Sequence, residues 1–116
     1  MFDTPPLRIK TAAVKRLTKD KLVYERELRV QEAKLNRFLA DGSDDAEVRH
    51  QRKILEETKF MVPDTQRRLL VACNELTTVL GNFTEFQNIP EYLEAQKALA
   101  DARRHLPKQE ELHHMC

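Results

Sequence analysis

The chain has 116 residues and a formal net charge of +1, with charged side chains making up 34% of it, two glycines and no tryptophan. That balance supplies no global field to draw a nucleic acid. Two glycines cannot build a phosphate-cradling loop, and no run approaches the ~20 apolar residues of a membrane span.

High charge, few aromatics and sustained apolar spacing predict long helices in one domain spanning 1–116. Met1 to Pro6 forms a short lead without the apolar run of a signal peptide. Thr4 can cap a helix with Pro5 in its first turn. The first helix is expected over about 7–40. Its seam, in alternating steps of three and four, reads Val14, Leu17, Lys21, Tyr24, Leu28, Gln31, Leu35 and Phe38. Lys21 and Gln31 are polar seam positions, which lower stability but can fix register. The lysine stem can pack while its amine reaches water.

Asp41 to Asp45 breaks the pattern, with Gly42 suited to a left-handed cap. Ser43 or Asp44 can cap the next helix, and Asp44 with Glu47 three residues on has the spacing of a capping box. So short a connection makes the second helix antiparallel to the first. That helix is expected over about 45–80. Val48, Leu55, Val62, Leu69, Leu76 and Phe83 recur every seven residues, with Gln51, Thr58, Thr65, Ala72 and Val79 between them, so its first half is wetter than its second.

Pro63 falls inside this repeat. It has no N–H for the Lys59 carbonyl and its ring crowds that carbonyl, which costs about 3 kcal/mol in a helix interior. Because the repeat continues across it, the expectation is a helix kinked at Pro63 rather than two helices. Gly81-Asn82 ends the segment, and Phe83 and Phe86 are expected to fold back onto the bundle end. The third helix is expected over about 90–106, capped by Asn88, with Pro90 in its first turn and a thin seam of Tyr92, Ala95, Leu99, Ala102 and Leu106 stopped by Pro107. Residues 107–116 read as a polar tail. Three apolar stripes packed together give an all-α, elongated, antiparallel three-helix bundle of the spectrin-like or coiled-coil-like kind.

Enzyme motifs are missing, and no catalytic residue, cofactor or metal site is assigned. Two cysteines, Cys73 and Cys116, make no disulfide framework and fit a reducing compartment. Cys73 adjoins a seam position and reads as a small core hydrophobe. His113, His114 and Cys116 offer metal-binding atoms, but a frayed tail is the plainer reading. Some carboxylates have a base four residues on, as in Glu25 with Arg29 and Asp64 with Arg68.

Two charged stretches remain. Arg8, Lys10, Lys15, Arg16, Lys19 and Lys21 make a basic face without interleaved aromatics, suited either to plain solvation or to an acidic protein partner rather than to nucleic acid or membrane. Asp64, Gln66, Arg67 and Arg68 follow the proline. Arg67 is outermost in the register of Val62 and Leu69, and the group reads equally as an ordinary surface or as a recognition surface.

These stretches carry a resemblance. Ile9-Lys10-Thr11, Val14-Lys15-Arg16-Leu17, Lys19-Asp20-Lys21 and Tyr24-Glu25 form the first match. Ile54-Leu55-Glu56-Glu57 leading to Met61-Val62-Pro63-Asp64-Thr65-Gln66-Arg67-Arg68-Leu69 forms the second, with a weaker echo at Glu91-Tyr92 and Glu94-Ala95. In order, spacing and total length the chain resembles the tubulin-binding cofactor A family of all-helical chaperones.

The resemblance implies a cytoplasmic, cytoskeleton-associated protein that is not an enzyme and uses no cofactor. It would hold quasi-folded β-tubulin released from the cytosolic chaperonin and pass it towards the αβ heterodimer, working with other tubulin-folding cofactors. It maps partner binding onto Lys10, Lys15, Arg16, Lys19, Glu25, Pro63, Asp64, Gln66, Arg67 and Arg68. Tyr24 and Leu17 are seam positions whose match reports packing. The alternative is a helical adaptor without tubulin preference. Monomer and homodimer are both open.

Overall fold

The computed structural model describes residues 5–107, apart from the side chain of Phe86. Helix α1 spans Pro5–Ala40, α2 spans Asp45–Gly81, a 3-10 turn follows at Thr84–Phe86, and α3 spans Pro90–Arg104. The chain is an all-α three-helix bundle, as its apolar spacing predicts.

The helix ends follow from local chemistry. Pro5 and Pro6 occupy the first turn of α1, where a missing N–H costs no helix bond. At the other end, Gly42 takes a left-handed φ of 68°. Ser43 N–H then reaches back to the Phe38 carbonyl at 3.0 Å and Gly42 N–H to that of Leu39 at 3.4 Å, closing a Schellman motif. Asp44 caps α2 by accepting the Glu47 N–H at 2.8 Å.

Pro63 does not break α2, which runs unbroken from Asp45 to Gly81. One expected cap fails. Ile89, not Asn88, is the N-cap of α3, and it makes no side-chain cap bond. Pro90 at the first helical position lowers the need for one, because it has no N–H to satisfy. The helix ends at Arg104, and His105 N–H and Leu106 N–H turn back to the Ala102 and Arg103 carbonyls, so the stop precedes Pro107.

The helices contribute to two compact units, one of residues 5–18 and 67–107 and one of Lys19–Gln66. In the first, all three helices meet. Leu7 and Val14 of α1, Leu69, Ala72, Cys73, Leu76 and Leu80 of α2, and Tyr92, Ala95, Ala98, Leu99 and Ala102 of α3 form its core. The alanines let α3 approach closely, and Phe83 and Leu106 pack against the core from its margin. The reading of Ala98 and Leu80 as core was not available from the seam spacing alone, since they flank it, whereas Leu7 continues the α1 seam one heptad before Val14.

The second unit contains only α1 and α2. Its buried apolar residues are Leu35 and Leu55, and its buried polar ones are Lys21, Gln51, Thr58 and Thr65. Every buried side-chain nitrogen and oxygen among the described residues has a partner. Gln51 Nε2 donates to Gln31 Oε1 at 2.7 Å, and the Thr58 and Thr65 hydroxyls donate to the Ile54 and Met61 carbonyls one turn back. The Lys21 amine, which the spacing allows to reach water, pairs with Glu25, and the residue is only 5% exposed. Glu25 thereby takes Lys21 where the spacing also offers Arg29.

Candidate partner-binding site

The register that puts Leu69 and Ala72 in the core turns Arg67, Arg68 and Val71 outward. On α1, burial of Val14 and Thr18 likewise leaves Arg16 exposed, with Leu17 half-buried. Arg16, Leu17, Arg67, Arg68 and Val71 line one shallow groove in the three-helix unit. Val71 is 55% exposed at its edge.

Three guanidinium groups around two apolar side chains suit a carboxylate-rich protein surface. Each guanidinium stays charged and offers its donors in a planar fork that matches a carboxylate. The apolar pair gives such a contact a floor that excludes water. Sequence reasoning found the arginines but missed Val71. The signal was present, since Val71 stands four residues after Arg67 and three after Arg68 and so shares their face.

The other candidate residues are placed differently. Lys10 donates to Glu75 of α2 at 2.9 Å, and Lys15 donates to Glu94 of α3. Both lysines therefore tie helices together in the three-helix unit. The hydrogen bond and charge of Lys15 hold the exposed Glu94 carboxyl below its ordinary range. In the unit of Lys19–Gln66, Lys19 is exposed, Glu25 is half-buried against Lys21, and Pro63, Asp64 and Gln66 are half-buried on α2.

Cys73 is a buried free thiol. Burial pushes its titration upward, opposed by the charge of Arg103, so at neutral pH it is held as the unreactive thiol. No group of three metal-binding side chains occurs among the described residues. His113, His114 and Cys116, like Phe2, lie outside them. No described helix is long and apolar enough to cross a membrane.

The family model for tubulin binding cofactor A matches residues 3–99. This chain belongs to the tubulin binding cofactor A family. Its similarity to individual members extends over most of both chains. Tubulin-specific chaperone A of Gallus gallus is 41% identical over 97 residues, which covers 84% of this chain and 90% of that protein.

Among solved structures, tubulin folding cofactor A from Arabidopsis thaliana aligns with a TM-score of 0.75 at 32% identity, over 84% of this chain and 92% of that one. Human tubulin chaperone cofactor A aligns at 0.70 and 35% identity, over 84% and 94%. Both charged stretches, α1, α2 and the first ten residues of α3 thus fall within the part of the chain that matches the tubulin binding cofactor A family.

Proposed function

We propose that this chain is a tubulin-folding cofactor. It binds quasi-folded β-tubulin released from the cytosolic chaperonin, keeps it in solution, and passes it towards the αβ heterodimer alongside other tubulin-folding cofactors of the cytoplasm. It acts by binding and not by catalysis. The observation that carries this reading is family membership over residues 3–99. The geometry supports it, because Arg16 and the Arg67–Arg68 pair come from separate matching stretches and line one groove.

The physical role of the groove is steering followed by pairing. A cationic patch raises the rate of encounter with an acidic surface and orients it. Guanidinium–carboxylate pairs then hold the partner while Leu17 and Val71 exclude water. Within the three-helix unit, Lys10 and Lys15, which also tie helices together, are proposed as further partner contacts; Lys19, Glu25, Pro63, Asp64 and Gln66 are proposed separately for the unit of Lys19–Gln66. In this reading the whole chain works as one domain, and Pro63 bends α2 to fit the partner. Residual dipolar couplings along α2 test the bend, and collinear vectors before and after Pro63 would remove it.

Size exclusion of the chain mixed with β-tubulin freshly released from chaperonin tests the proposal. The expected result is a discrete complex that weakens with salt and is lost when Arg16, Arg67 and Arg68 are all changed to Glu. No complex at any salt would overturn the reading. A complex indifferent to the triple change would move the interface off the arginine groove.

A further inference from the structure

A second groove lies within the unit of Lys19–Gln66, between α1 and α2. Tyr24 and Glu27 line it from α1, and Glu56, Glu57, Phe60 and Met61 from α2. Tyr24 and Met61 are half-buried, while Phe60 is 61% exposed. A single exposed apolar side chain is ordinary on a protein surface. Phe60 differs in standing beside two more apolar side chains within a concave site.

The rim has one sign of charge. The groove is lined by three glutamates and by no lysine or arginine. Glu27 accepts a hydrogen bond from Gln31. Glu56 has Lys59 3.5 Å away, yet its side chain remains 72% exposed. Glu57 makes no ion pair among the described residues. A cleft lined by one sign of charge concentrates the opposite sign.

The shape selects a helix. The groove between two packed helices is bounded by ridges of side chains that accept the ridges of another helix. In the three-helix unit, α1 and α2 receive α3 through a stripe of Ala95, Ala98, Leu99 and Ala102. In the unit of Lys19–Gln66 no third helix is supplied.

We infer that this second groove docks an amphipathic helix of a partner protein, with an apolar stripe that covers Phe60 and flanking Lys or Arg that meet Glu27, Glu56 and Glu57. Its charge preference is opposite to that of the arginine groove, so the two sites take different surfaces. The inference does not depend on tubulin being the partner at the arginines.

Fluorescence anisotropy with the full chain tests it, using a labelled amphipathic Leu–Lys helical peptide and its Leu–Glu counterpart. The chain should bind the Leu–Lys peptide, more weakly as salt rises, and ignore the Leu–Glu peptide. Phe60→Ala should weaken binding about tenfold or more, as expected for an aromatic anchor. Changing Glu27, Glu56 and Glu57 together to Lys should exchange the preference for the Leu–Glu peptide. Amide shifts of the unaltered chain give a readout that needs no variant, and they should centre on Tyr24, Glu57, Phe60 and Met61. No binding, equal binding of the two peptides, indifference to Phe60→Ala, or shifts centred elsewhere would each overturn the inference.

Discussion

Where α1 and α2 pack with α3, the large side chains removed from water are Leu7, Val14, Leu69 and Leu76. Where α1 and α2 form the unit of Lys19–Gln66, the most buried large side chain is Gln51. Each buried leucine contributes about 1.5–3 kcal/mol by leaving water. A buried glutamine contributes little net, because its amide exchanges water bonds for protein bonds. Its value lies elsewhere. Gln51 bonds only when Gln31 stands opposite, so the pair favours one register of α1 against α2. The same two helices thus divide labour along their length, with affinity for each other concentrated in one unit and alignment in the other.

The largest effect should come from breaking the dry unit. Leu76→Ala removes a fully buried side chain and should cost about 2–5 kcal/mol in urea unfolding. Leu55→Ala in the wetter unit should fall near or below the lower end of that range, because water can enter a two-helix seam and relax the cavity. Equal costs would erase the contrast between the units.

Gln51→Ala should come next, at about 1–3 kcal/mol, since it leaves the Gln31 oxygen without its buried donor. The double change of Gln51 and Gln31 to Leu should be neutral or stabilising, while heteronuclear exchange broadening of residues on α1 and α2 reports the lost register. A large stability loss in the double variant would mean that the amide pair holds the unit together rather than aligning it.

The smallest effect should come from the Lys15–Glu94 ion pair. Glu94 is held below its ordinary range, so its contribution is complete above the ordinary glutamate range and is lost as pH falls through the lowered value. The Glu94 side chain is 56% exposed, so solvent screening makes the effect minor. Comparing acid unfolding of the chain with that of Glu94→Gln should show a slight difference confined to acid pH and reduced by salt.

Most of the fold was legible because its determinants are local and periodic. Steps of three and four fixed the seams, Asp44 and Gly42 fixed the turn, and Pro90 fixed the start of α3. The Asn88 cap was misread because cap propensity does not show which residue the chain turns at when a proline follows. The partner of the Lys21 amine was not legible, because spacing alone cannot choose between water and a glutamate one turn away.

The site was legible in part. Arg67 was read as outermost from the register of Val62 and Leu69, but the groove that it and Arg68 share with Arg16 joins residues about fifty positions apart, which no local pattern encodes. The acidic groove was not legible at all. Glu56, Glu57 and Phe60 look like ordinary surface until α1 sets Tyr24 and Glu27 beside them.

Native-state hydrogen exchange resolved along α2 tests the division of labour most directly. Amides in the segment 69–80 should exchange only by global unfolding, while those in 48–60 should open at lower free energy in a separate step. Uniform protection along α2, lost in a single step, would contradict it.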